Sequence, residues 1–451
     1  MSFVRRIAAG LVALVAFVVP AAAFDIQVVK SPGGIEAWLV ESRGLPIISL
    51  QAGFDGGARL DPQGKAGLAY LTSTLMNEGA GDYDSTTFTQ KLEDKAISFG
   101  GSADGDAFYV SLTTLSANKA DAFELMRLAL ASPRFDQEAI DRMKGQIFAY
   151  QKQLDEDPGS IAGNTWSERA YPGHPYGLRT TGTAETVGAI TRDDIVAFMQ
   201  TQLGKDHLKV VVVGDIGADE LAPLLDTLFA SVPATRAAPD AQPVTMQGGG
   251  KLDVIDFDTP QSVVVFGAPG LKLTDPEYRA AQVMNYTLGG GGFMSRLMTE
   301  VREKRGLTYG ISTGLAGSRL TDTLFGSVAS DNAKVKEAID ITKAEIVKMR
   351  DTGVTEQEVA DAKAFLTGSY PLRFDSNAKI ANALLGLYLE GLDKDYINRR
   401  NAEIMAVKKE DVDKAAKRLL DPNAFYWVVV GKPAGLMPEQ PQPAPAQPAS
   451  P

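Results

Sequence analysis

An arginine and a tyrosine carry the strongest chemical signal in this chain of 451 residues. In Met294-Ser295-Arg296-Leu297-Met298-Thr299-Glu300-Val301-Arg302-Glu303-Lys304-Arg305-Gly306-Leu307-Thr308-Tyr309, Arg302 and Tyr309 stand seven residues apart. Gly306 is well placed as a helix C-cap, so Arg302 falls near a helix end and Tyr309 opens the strand that follows. A guanidinium and a phenol brought together in this way present donors toward one point. Such donors can hold a carbonyl group and the oxyanion that forms on it. Spacing alone leaves an alternative open, in which Arg302 is a surface ion-pair residue and Glu303, Lys304 and Arg305 complete a solvated helix end. The run Gly289–Gly292 just upstream reads either as backbone that passes close to a ligand or as a flexible entry loop.

Metal chemistry has little to draw on. The chain has no cysteine and only two histidines, His174 and His207, which rules out a thiolate site and a histidine-rich centre within it. His174, beside Pro175, reads as a loop-packing residue. His207 lies in a turn before a strand and is assigned no function. The net charge of −11 argues against nucleic-acid binding, because phosphate contacts need a basic surface.

The elements that must position Arg302 and Tyr309 form an α+β pattern. Strands are expected at Ile26–Val29, Ile35–Val40, Ile47–Phe54, Ala107–Thr114 and Leu208–Val213, and helices at Lys65–Asn77, Thr86–Ala96, Ala120–Ala131 and Gln137–Leu154. The glycine- and aspartate-rich segment Gly100–Asp106 is read as a turn. Thr191-Arg192-Asp193-Asp194 starts another helix. The ending of this first half recurs: Ala406–Val412 matches Ala189–Ile195, and Val428-Val429-Val430-Gly431 matches Val211-Val212-Val213-Gly214. Both pairs are 217 residues apart, without a gap, which is the mark of an internal duplication. The Pro-, Ala- and Gln-rich segment 232–250 is the expected linker.

The ends read differently. Residues 1–23 have a basic start, an apolar stretch from Ile7 to Val19 and small residues at Ala21–Ala23, the pattern of a cleaved bacterial-type signal peptide, with an uncleaved anchor as the alternative. The apolar run is too short for a comfortable membrane span. A periplasmic location follows. The tail 437–451 contains six prolines and is expected to be an extended, disordered arm.

The stretch Gly67–Ala80 resembles the signature helix of the M16 (pitrilysin-like, inverted zincin) peptidases, G-x-A-H-x-x-E-H-x-x-x-x-G-T. Its three chemical positions are here Tyr70, Ser73 and Thr74. Family members carry a further glutamate ligand on a later helix, and counting from Thr74 leads to Ala149 and Tyr150 in the helix Met143–Leu154. A hydrolytic zinc site needs imidazole, thiolate or carboxylate ligands and a general base, and none stands at these four places. Asp157-Pro158 and His174-Pro175-Tyr176-Gly177 also match family landmarks. The segment 294–309 looks like the family's S-R-L-x-x-x-L-R-E-K-x-G-L-x-Y, whose arginine and tyrosine correspond to Arg302 and Tyr309.

The resemblance implies two mitochondrial-processing-peptidase-like α+β halves, 24–231 and 251–436. It further implies a zinc-free subunit of a heterodimeric M16B-type peptidase, supplying Arg302 and Tyr309 to peptide substrates. Zinc would reside in a partner chain bearing H-x-x-E-H, with no cofactor in this one. The alternative is a non-enzymatic peptide-binding or scaffold protein on a degenerate peptidase fold.

Overall fold

The computed structural model describes residues 24–436, so the expected signal peptide and the Pro-rich tail lie outside the described residues. The strands, in chain order, are β1 (Gln27–Lys30), β2 (Glu36–Glu41), β3 (Ile47–Asp55), β4 (Gly79–Ala80), β5 (Tyr83–Asp84), β6 (Ser98–Ala103) and β7 (Ala107–Leu115). Then come β8 (Leu208–Gly214), β9 (Leu252–Asp256), β10 (Gln261–Pro269), β11 (Thr308–Gly317), β12 (Asp322–Asp331) and β13 (Tyr426–Gly431). They build a sheet of order β1-β2-β8-β3-β7-β6, a second of order β11-β12-β10-β13-β9, and the small pair β4-β5.

The two large sheets share one connectivity. In the first, β2 runs parallel to β8, which pairs antiparallel with β3, then β7, then the edge strand β6. In the second, β9 runs parallel to β13, followed antiparallel by β10, β12 and the edge strand β11. The 217-residue register reappears in the backbone. Thr191 and Lys408 are the N-caps of corresponding helices, and Gly214 and Gly431 end corresponding strands at φ of 141° and 147°. Both glycines are required by close approach: a Cβ at Gly214 would lie 2.1 Å from the Ile47 carbonyl oxygen.

Continuous apolar runs such as Val210–Val213 and Tyr426–Val430 imply strands covered on both faces. Each sheet packs its own helices on one face, giving one core per half. The other face is covered by a helix lent by the opposite half. Helix Pro158–Ala170 lies on β10 and β13, where Trp166 stacks on Tyr426 and donates to its carbonyl at 3.2 Å. Helix Asn377–Leu389 lies on β3 and β8, and its Tyr388 stacks on Trp38 of the adjoining β2 at 4.2 Å. Each aromatic pair adds about 0.5–1.5 kcal/mol beyond its buried area.

The hairpin β11–β12 is tied to the first half at its tip. The Arg319 amide donates to Asp106, its Nε reaches Asp55 at 3.4 Å, and the Leu320 amide donates to the Tyr176 hydroxyl. Tyr176 in turn donates to Asp106. Beneath them the buried Arg59 guanidinium holds both Asp55 and Asp106.

Two expectations need correction. Residues 98–103 are an edge strand rather than a turn, and only Asp104–Asp106 turn. Gly101 admits close passage there: a Cβ on it would lie 2.5 Å from the Ser73 carbonyl oxygen. The expected helix Lys65–Asn77 is shortened to Leu68–Thr74, because Gly67 at φ 96° starts it and Asp61 accepts the amides of Gly67, Leu68 and Ala69. Segment 232–250 carries neither helix nor strand.

Candidate functional site

Arg302 and Tyr309 both line one cleft of about 430 Å³ in the second half, walled also by Gln261, Asp331 and Lys334. The chain leading there is wound unusually. Tyr286–Gly290 and Met298–Glu303 are π-helices, with the Gly291 amide bonded to the Tyr286 carbonyl and the Lys304 amide to that of Thr299, each five residues back. Sequence reading expected an ordinary helix at Arg302; the wider π turn, a feature frequent at functional sites, was not legible in it. Gly306 closes the helix at φ 60°, its amide bonded to the Arg302 carbonyl. Arg296 anchors the start, with its guanidinium fork on Glu358 at 2.6 and 2.8 Å and on the Gly353 carbonyl at 2.9 Å.

Glu303, Lys304 and Arg305 do form an exposed helix end, but Arg302 takes no part in its ion pairs. Lys304 and Arg305 both pair with Glu300. The Arg302 guanidinium makes no hydrogen bond or ion pair among the described residues. Its guanidinium lies 4.5 Å from the ring centre of Phe293 instead. Such a contact leaves the fork of N–H donors free while fixing its plane, at about 0.5–1 kcal/mol for an exposed site.

Tyr309 is 86 % exposed. It stands on the edge strand β11 at a bulge: Thr308 pairs with Ser330 and Ile311 with Val328, so Tyr309 and Gly310 face the single residue Ala329. Thr308 Oγ1 holds the bulge, donating to the Ala329 carbonyl and accepting from the Gly310 amide. A bulge re-aims a side chain out of the regular alternation.

The glycine run is a packed turn rather than a free loop. A Cβ at Gly289 would lie 2.5 Å from Thr313 Oγ1, one at Gly290 2.6 Å from Asn285 Nδ2 and one at Gly291 2.7 Å from the Tyr286 carbonyl oxygen. It presents Phe293, 60 % exposed, and Met294, 72 % exposed, beside the arginine. Sequence reasoning did not single out Phe293, although a large aromatic directly after four glycines was the available signal.

The degenerate positions lie in the other half. Ser73 donates to the Tyr70 carbonyl at 2.7 Å and Thr74 to that of Leu71 at 2.8 Å, so both hydroxyls are turned back onto their own helix. Tyr70 is half-buried and Tyr150 is 44 % exposed. Burial, with Tyr150 close by, pushes the Tyr70 phenol above its usual range. Phenols and back-bonded hydroxyls do not fit a zinc ligand set. Among the described residues no group of three His, Cys, Asp or Glu side chains could hold a metal ion. His174 is structural: Nε2 contacts the Gln242 carbonyl oxygen at 2.9 Å and Nδ1 accepts the Tyr176 amide. His207 sits 3.9 Å from Asp55 and 3.8 Å from Asp206. No described helix is long and apolar enough to cross a membrane.

Residues 47–184 match the model of the insulinase-like M16 peptidase family, and residues 189–366 match that of the peptidase M16 inactive domain. A protein from Helicobacter pylori named "Non-peptidase homolog YmxG" is 27 % identical over 393 residues, 86 % of this chain and 90 % of that protein. An "uncharacterized zinc protease" from Streptomyces coelicolor is 28 % identical over 300 residues, 64 % of each chain. The crystal structure of a peptidase M16 inactive domain from Pseudomonas fluorescens superimposes with a TM-score of 0.85 at 27 % identity, covering 92 % of this chain and all of that one. With two successive family matches, this α+β two-half fold and none of the four zinc-site groups, the chain belongs to the M16 peptidase family as an inactive M16-like member.

Proposed function

We propose that this chain is the zinc-free subunit of a two-chain, M16B-type peptidase, exported to the periplasm. The observation that carries this reading is the Arg302–Tyr309 cleft. An arginine without an ionic partner and a phenol aimed outward from a bulged edge strand have no evident structural task. Both are donors that a bound carbonyl or carboxylate would engage in place of water. In the complex, Arg302 and Tyr309 would bind the peptide carbonyl and stabilise the oxyanion on it, while zinc belongs to a partner with an intact H-x-x-E-H helix. The shared connectivity of the two halves supports their origin by duplication, so that two such chains close a four-unit chamber.

Co-expression with an exported H-x-x-E-H homologue tests the proposal. A stable heterodimer is expected, with an interface above about 2,000 Å², peptidase activity only in the complex, and zinc only in the partner. A chain that stays monomeric beside every such homologue would overturn it.

The name of the Helicobacter pylori relative favours a second reading, a non-enzymatic peptide-binding or scaffold protein. It requires that a complex, if formed, be indifferent to substitution of Arg302 and Tyr309.

A further inference from the structure

The helix Asn377–Leu389 crosses to the first half through the turn Tyr370–Arg373, and behind that turn lies a cavity of about 240 Å³. Three arginines from three elements line it: Arg279 of helix Tyr278–Asn285, Arg373 of the turn itself and Arg400 of helix Tyr396–Ala406. Their charges are poorly matched. Arg279 pairs with Glu403 at 3.0 Å, a carboxylate that Arg399 also claims. Arg373 makes no hydrogen bond or ion pair among the described residues. Arg400 is only 5 % exposed and has no carboxylate partner. Its Nη1 donates to the Leu366 carbonyl and to Asn401 Oδ1, while its guanidinium stacks 3.9 Å from the Tyr370 ring centre. Its Nε and Nη2 carry no hydrogen bond, yet neither is sealed from solvent.

Taking an arginine out of water is costly unless it is compensated, and ring contact returns only part of that cost. Burial pushes the Arg400 guanidinium down from its usual range, and Arg279 and Arg373 push the same way, against Tyr370 and Tyr396. What is missing is a negative group opposite the free edge of Arg400. We infer that this cavity binds a small oxyanion, a carboxylate or a phosphate, held between the Arg400 and Arg373 guanidiniums with Tyr370 and Tyr396 as its aromatic walls. A guanidinium fork matches the paired oxygens of either anion. The bound anion would tie the root of the crossing helix to the second half. This site is separate from the Arg302–Tyr309 cleft, so it stands whether or not a peptidase partner exists.

Thermal unfolding and titration calorimetry of the mature chain test it, with inorganic phosphate, acetate and citrate compared with chloride at equal ionic strength. The expected result is saturable one-to-one binding of phosphate or of a carboxylate, whichever the site selects. At a hundredfold excess over Kd the folded-to-unfolded ratio then rises about 100-fold. Arg373→Gln alters an exposed side chain, so it should fold normally and weaken binding at least about tenfold. Arg400→Gln should abolish the anion response. Stabilisation by chloride equal to that of the oxyanions, or an unchanged response in Arg373→Gln, would overturn the inference.

Discussion

Replacing Tyr309 with phenylalanine separates folding from function. The ring is 86 % exposed and its hydroxyl has no hydrogen-bond partner among the described residues, so Tyr309→Phe uncovers no buried group. A surface change of this kind alters stability by no more than about 0.5 kcal/mol. In the proposed complex the same atom is one of two oxyanion donors, and loss of one such donor lowers kcat about 10²–10³-fold, or about 2.7–4 kcal/mol. Arg302→Lys keeps the charge but loses the planar fork, and should be impaired as well. Arg305→Ala is the control. It breaks a contact with Glu300, which Lys304 still holds, and an exposed pair of this type contributes at most about 1 kcal/mol. The assay is peptide hydrolysis by the purified heterodimer, with melting temperature and zinc content measured in parallel. Equal activity in wild type and in the Tyr309→Phe, Arg302→Lys double variant would refute the reasoning and leave this subunit as a wall.

Four further outcomes are expected. Phe293→Ala removes the ring that orients Arg302, and should lower kcat/KM of the complex about 2- to 5-fold, corresponding to about 0.5–1 kcal/mol. Gly101→Val drives a Cβ into the Ser73 carbonyl and should cost about 1–3 kcal/mol in urea unfolding. Burial raises the Asp55 carboxyl, but the Arg59 and Arg319 guanidiniums more than offset this and hold it below the usual range. A depressed folded-state value means that Asp55 contributes stability above about pH 4, lost as the pH falls through the folded value; Asp55→Asn should flatten that part of the acid-unfolding profile. Metal analysis of the mature chain should find no stoichiometric zinc, and one zinc per chain, removable by chelator with loss of proteolysis, would sink the zinc-free assignment.

The halves and their order were legible because they rest on local signals. Buried strands read as unbroken valine runs, capped helix starts recur 217 residues apart, and the glycines that end the two valine runs keep the same register. The absence of zinc ligands was equally plain, since ligand chemistry is a property of residue type. Geometry that depends on distant neighbours was not legible. Gly100–Ala103 looks like a turn in composition, yet it becomes a strand because β7 supplies its ladder and Ser73 leaves no room for a Cβ at Gly101. The bulge at Tyr309–Gly310 comes from pairing with β12 and from the Thr308 bonds, and the π winding at Met298–Glu303 has no signature in the residue pattern. Sequence placed Arg302 and Tyr309 seven residues apart and left two fates for the arginine. Only the tertiary structure showed that the arginine forms no ion pair, by giving Glu300 to Lys304 and Arg305 and leaving the Arg302 guanidinium over Phe293.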